Sequence, residues 1–395
     1  MTAEAALGGS SAPRAAAGRP AAPHTRRYLR EIFVELCRID SSSGNERACA
    51  ERVRAELAAV GVEVVEDSSQ GQTGSNSGNL LARIPARDAQ RCVLLCAHLD
   101  TVPALAQLEP VLVEGVYENA NEGILGADNK AAVAVLLALA RQFARDGAPV
   151  DLELLFTVGE EVALAGARAF DASVLRADFG YVFDHATPIG EVIVASPSHF
   201  RIDAAFRGTA AHAGIRPQDG RSAILAAARA IAAMPLGSLD GGESSANVGL
   251  IDGGSAMNVV PERCAIVAEV RSLRDERAEE IVAEVVERVH QAANAPECEC
   301  DVDVGVQRMF SGYRLAASTP AVRVAEATLA DCGFSPRRVT SGGASDANAL
   351  IVQGVSVVNL ANGTERNHEP GERVTAQALE DMLDVALALL EHARG

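Results

Sequence analysis

The sequence predicts an α/β protein: a mixed, largely parallel sheet covered by helices, interrupted by an inserted α+β domain. Three observations carry this. Short apolar strand patterns alternate with helical segments up to residue 198, the order changes to β-α-β-β-α-β over 199–312, and the first style returns over 313–395. At 395 residues the chain also exceeds what one hydrophobic core usually organises, so more than one domain is expected.

Residues 1–24 are rich in Ala, Gly and Pro without a continuous apolar run, and read as a disordered extension rather than a signal peptide. Two helices follow, about 25–38 and 45–60, the second preceded by cap-type residues in SSSGNE. VEVVED, NLLARI and RCVLLCAHL read as strands, and KAAVAVLLALARQFA as a long buried helix. DLELLFTV and GYVFD are further strands, separated by the helical ALAGARAF. In the insert, HFRIDAAFRG, ANVGLI, CAIVAEVRS and CECDVDVGVQ alternate with two helices, the order of a ferredoxin-like split βαβ unit. The C-terminal part adds helices over 318–333 and in DANALIVQG, the strand VSVVNLA, and a closing helix. The expected catalytic domain is therefore discontinuous, 25–198 plus 313–395.

The net charge of −18 argues against nucleic acid and anionic membranes as partners. No run of eighteen apolar residues offers a membrane span. The eight cysteines form no Cys-x-x-Cys pair or framework, so they read as packing residues of a cytoplasmic protein, with Cys298 and Cys300 on one strand face. The single lysine, Lys130, reads as a coding bias.

Seven side chains carry the chemistry. His98 and Asp100 in AHLDTVP stand two apart at a strand end, where a carboxylate can hold the second nitrogen of a ligating imidazole. Asp128 in GADNK opens the long helix, as a cap or as a two-oxygen bridge. Glu160 and Glu161 in TVGEE follow an apolar run, and the bend after Gly159 brings both toward one site. One would bind metal and the other move a proton, with nothing in the residues deciding which. Asp184 ends the strand YVFD, beside a non-ligating His185, and His368 lies in the loop-like NGTERNHEPGE. Two imidazoles and three carboxylates suit zinc, with cobalt or manganese as alternatives. Sites in open α/β sheets gather at the carboxyl ends of strands, where His98, Glu160/Glu161 and Asp184 all fall.

AHLDTVP, GADNK, TVGEE, the VFD segment, GTAAHAG, NVVPE and SGGASDAN, in this order, resemble the co-catalytic zinc peptidase family of peptidase T, aminoacylase, glutamate carboxypeptidase and succinyl-diaminopimelate desuccinylase. The peptidase T-like branch is the nearest, and the resemblance spans nearly everything after residue 25. It implies a zinc exopeptidase-like fold and two Zn2+ per chain. His98 and Asp184 would hold one, Glu161 and His368 the other, with Asp128 bridging and Glu160 as general base for a metal-bridging hydroxide. It also implies a cis peptide at Asp128–Asn129. The insert, 199–312, becomes a lid that forms a homodimer, with His212 polarising the scissile carbonyl. Asn258 and Arg271 would grip a substrate carboxylate, and the backbone around Gly343 would approach the substrate closely. Asp184 in place of Glu leans toward aminopeptidases. Glu369 and Pro370 after His368 depart from the family's small hydroxyl residues, while Glu372 keeps its usual spacing.

The expected function is amide hydrolysis in a tripeptide or dipeptide. The same machinery would serve an N-acyl or N-carbamoyl amino-acid amidohydrolase. A non-catalytic metal- or peptide-binding protein is a third reading, at odds with the complete catalytic set.

Overall fold

The computed structural model describes residues 20–87 and 89–394, so most of the expected N-terminal extension lies outside the described residues. The first helix, Pro23–Cys37, starts two residues inside that extension, with Pro23 at its first turn where a missing N–H costs nothing. The chain forms two compact units. One runs to Val194 and takes in Ala316–Val339 and everything from Ser345; the other is Ala195–Leu315 with Thr340–Ala344.

The first unit is built on a mixed sheet in the order Val64–Glu66, Leu80–Ile84, Asp151–Thr157, Cys92–His98, Phe179–His185, Val357–Ala361, Glu191–Ser196. The middle four of these strands pair in parallel and the flanking strands antiparallel. Six successive residues of Cys92–His98 are buried, as a strand covered on both faces requires. The helix Ala127–Asp146 packs across this strand, and Pro23–Cys37 packs on the helix. Lys130 in that helix has more than a compositional role: it is fully buried and its ammonium donates to the Ile39 carbonyl at 2.5 Å.

A second, small antiparallel sheet has no counterpart in the sequence reading. Thr364–Glu365 pairs with Arg373–Thr375, which pairs with Val116–Asn119 and then Pro110–Val113. The stretch expected to be a loop around His368 is thus the tip of a hairpin. Its flanking strands are only two and three residues long, too short to show a period.

The second unit is a five-stranded antiparallel sheet, ordered Gly237–Leu239, Ser244–Gly253, Arg263–Ser272, Ser198–Arg207, Asp301–Phe310. Helices Ala223–Ala233 and Asp275–Ala293 pack on it around an Ala/Val/Ile core. Burial alternates along Ser198–Arg207, so helices cover one face. The short strand Gly237–Leu239 extends the βαββαβ order by one. Cys298 and Cys300 precede the last strand instead of lying on it, yet both are buried. All eight cysteines are free. Among the described residues, no helix is long and apolar enough to cross a membrane.

Candidate metal centre

Five chain segments of the first unit meet at the carboxyl ends of its parallel strands. His98 is the last residue of its strand and is almost fully buried. Its Nδ1 lies 3.0 Å from the Asp100 carbonyl oxygen, which can only accept. In the neutral ring Nδ1 therefore carries the proton and Nε2 presents a lone pair. That lone pair faces Asp128 Oδ1 at 3.2 Å and Asp184 Oδ1 at 3.7 Å.

Asp128 is no helix cap. Its Oδ1 faces His98, while its Oδ2 lies 3.3 Å from His368 Nε2 and accepts from Asn367 at 2.8 Å. Its backbone is non-helical, and the Asp128–Asn129 peptide is cis, as the resemblance implies. The loop is held by Glu372, nearly fully buried, whose carboxylate accepts from the N–H groups of Leu125, Gly126 and Asp128 at 2.8–2.9 Å.

Gly159 sits at φ +60, and a Cβ there would press on Val162 and Ala165 at 3.3 Å. This turn breaks the alternation of the preceding strand and sends both glutamates the same way. Asp100 fixes the turn: Oδ1 accepts from Glu160 N–H at 2.9 Å, and Oδ2 from Glu161 N–H at 3.1 Å and Ser43 Oγ at 2.7 Å. The expected contact to the ring of His98 is secondary, at 3.4 Å. The carboxylate of Asp100 chiefly aims the glutamates, and its carbonyl orients the imidazole.

One ligand-type atom each from His98, Glu160 and Asp184 lie within 4.8 Å of one another, and so do those of His98, Asp128 and Glu161. His368 joins the second group from the hairpin tip, with Nε2 2.9 Å from Glu161 Oε1. His368 adopts φ +66, a left-handed conformation uncommon for a side-chain-bearing residue. His185 turns instead toward Glu191, 3.8 Å away.

The electrostatics are those of crowded acids. Burial, with Asp184 and Asp346 nearby, pushes Glu160 well above the usual carboxylate range against the pull of His98. Burial and Asp128 push Asp184 up to about 7. Burial also opposes charge on His98, but the surrounding carboxylates of Asp100, Asp128 and Asp184 outweigh it and hold the ring well above its ordinary value. His368, drawn by Asp128 and Glu161, rises to about 10. Glu161 Oε1 is buried without a hydrogen-bond donor although His368 Nε2 is close, an orientation suited to two ligands sharing an ion. Imidazoles and carboxylates aimed into one buried space fit a divalent metal of the zinc, cobalt or manganese type.

Three contributors escaped the sequence reading. Asp346, buried in SGGASDAN, accepts from Thr157 Oγ1 and has a second oxygen with no partner; burial pushes it up to about 6. Asn359 clamps the backbone of Asp184 with two hydrogen bonds, and Asn367 reaches Asp128. Asp346 lay in a motif already singled out; Asn359 sits inside an apolar strand and gave no signal.

The remaining candidates belong to the second unit. Exposed His212 and Asn258 are neighbours: Ala213 N–H donates to the Asn258 carbonyl at 3.0 Å, and His212 bridges to Val259. Arg271 donates to the Gly342 carbonyl at 3.1 Å and to Glu269 at 3.2 Å, and Glu269 also contacts His199. Gly343 is held by Ser196 and Ser341.

Fold and cluster together define a class, a hydrolase with a carboxylate–imidazole metal centre and a separate α+β unit. Residues 198–296 match the peptidase dimerisation domain of M20 peptidases, and 79–191 match peptidase family M28. The chain is 35% identical to aminopeptidase PepT from Bacillus cereus, with a TM-score of 0.86 over 94% of this chain and 99% of that one. A tripeptidase from Staphylococcus aureus is 30% identical, with a TM-score of 0.89 at the same coverage. The YqjE protein of Bacillus subtilis is 34% identical over 92% of this chain and 98% of its own. The M28 match covers only residues 79–191, which contain His98 through Asp184, whereas the peptidase T likeness covers 94% of the chain. This chain belongs to the M20 family of metallopeptidases, in its peptidase T-like branch.

Proposed function

We propose that the enzyme releases an amino acid from a tripeptide or dipeptide, using two Zn2+ ions held by His98 with Asp184 and by Glu161 with His368. Asp128 would be shared between the two. The observation that supports this most is the aim of Asp128, one carboxylate oxygen toward each imidazole. Two divalent ions supply Lewis acidity, polarising an amide carbonyl and making water nucleophilic at neutral pH.

Glu160 does the proton work. It is buried, which raises the proton affinity of its carboxylate, so the ionised form can take a proton from the attacking water and return it to the departing amine. Glu161 then serves as ligand, in keeping with its approach to His368. Asp100 and Glu372 position the glutamate turn and the Asp128 loop. Arg271 and Asn258 bind the substrate carboxylate, the backbone around Gly343 approaches the substrate closely, and His212 polarises the scissile carbonyl in a homodimer formed through the second unit. Eight unpaired thiols suit the cytoplasm.

Glu160→Gln tests the assignment. It should retain two metals and lose nearly all turnover of tripeptides and dipeptides; an active variant rejects the role. A panel including N-acyl and N-carbamoyl amino acids separates a peptidase from an amidohydrolase.

A further inference from the structure

The second unit contains a cleft of about 440 Å3, within the usual range of small-ligand sites. Its charged lining is two guanidinium groups, Arg271 and Arg314, and one carboxylate, Glu243. Ser245, Ser341 and Gly342 add hydroxyl and backbone groups. In a chain of net charge −18, a cleft lined by two cations and one anion is a selective feature.

The two arginines are not equivalent. Arg271 is partly buried and already oriented, by the Gly342 carbonyl and by Glu269, so part of its fork is committed. Glu243 lies 3.8 Å from Arg274, outside the cleft lining. The Arg314 side chain makes no hydrogen bond or ion pair among the described residues. Its backbone is anchored beside Ala195 by strand pairing, so the chain presents this guanidinium from a fixed stem. An exposed guanidinium at a cleft wall without a protein partner is suited to a ligand carboxylate, which it can take through two parallel N–H groups.

We propose that Arg314 makes this cleft a subsite for an acidic C-terminal residue, so that preferred substrates are small peptides ending in aspartate or glutamate. This rests on reading Arg271 as the grip on the substrate's terminal carboxylate. Arg271 then takes the α-carboxylate and Arg314 the side-chain carboxylate. Hydrolysis then yields the acidic amino acid itself from a dipeptide, and from a tripeptide the dipeptide that ends in it.

The test compares peptides that differ only in a final Glu, Gln or Ala, with the metal-loaded full-length protein. Wild type should favour Glu over Gln by about tenfold in kcat/KM, the discrimination expected of one charge-assisted hydrogen-bonded contact. Arg314→Gln should bring the two peptides within about twofold of one another. Calorimetric binding of free glutamate and glutamine should show the same preference and the same loss, without any turnover. Equal treatment of Glu and Gln by wild type overturns the proposal, as does an Arg314→Gln protein that keeps the preference. Failure of the underlying reading looks different: Arg271→Gln would then leave kcat/KM unchanged for all three peptides.

Discussion

Replacing Asp100 by Asn tests how the glutamates are aimed. The side chain is fully buried, and four groups converge on its carboxylate: Glu160 N–H at 2.9 Å, Glu161 N–H at 3.1 Å, Ser43 Oγ at 2.7 Å and His98 Nδ1 at 3.4 Å. Burial alone would favour the neutral acid, yet these partners keep it charged, with its acidity strengthened. Asn has the same shape but a single acceptor oxygen. Whichever way it turns, one backbone N–H meets an amide NH2. Losing that charge-assisted bond while stranding a buried donor costs about 3 kcal/mol. At about 2–4 °C per kcal/mol, the metal-free protein should melt about 6–12 °C lower in the transition of this unit. Turnover of the metal-loaded variant should fall about 10–100-fold, as when groups that orient metal ligands are removed. Ser43→Ala, which deletes only the hydroxyl donor, should cost about 1 kcal/mol. Calorimetry and a peptide assay read both effects. An Asn variant melting with wild type and turning over within twofold of it refutes the role of Asp100.

Four further outcomes are expected. Without metal, stability should decline as pH rises: Asp184 and Glu372 are raised by burial to about 7, and His368 by Asp128 and Glu161 to about 10, so each contributes most below its unfolded value and loses that as pH passes the folded one. Thermal melts in chelator between pH 4 and 10 check this, with zinc restoring more stability at pH 8 than at pH 5, because the metal replaces protons; a chelated protein that grows more stable toward alkaline pH contradicts it. Glu372→Gln should weaken metal binding about 10–100-fold, measured by competition with a chromophoric chelator, because the Asp128 loop loses an acceptor. Gly166→Ala should destabilise by at least about 1–3 kcal/mol in urea unfolding, since a Cβ there would stand 2.1 Å from the Val158 carbonyl oxygen. His212→Ala mixed with Glu160→Gln should recover activity, read by assay of the co-refolded pair; no recovery excludes a site shared between subunits.

Much of the candidate metal centre was legible because each proposed ligand sits where a pattern breaks. His98 and Asp184 close apolar strands, Gly159 turns the chain before the two glutamates, and Asp128 stands at the mouth of a helix. What stayed hidden depends on contacts between distant segments. Asp100 was expected to hold an imidazole two residues away; its carboxylate lies 3.4 Å from that ring and also reaches amides sixty residues on. The hairpin presenting His368 has strands too short to carry a period, and Asn359 sits within an otherwise apolar strand. Lys130 seemed a compositional accident until its burial gave it a partner in Ile39. The proposed division of labour between Glu160 and Glu161 is likewise a matter of three dimensions, since only the fold brings His368 beside one of them.

The most direct test of the central claim is anomalous diffraction from zinc-loaded crystals. Two peaks about 3.5–4 Å apart are predicted, both bound to Asp128. One should be completed by His98 and Asp184 and the other by His368 and Glu161, with Glu160 coordinating neither. A single peak, or a peak ligated by Glu160, would contradict the account.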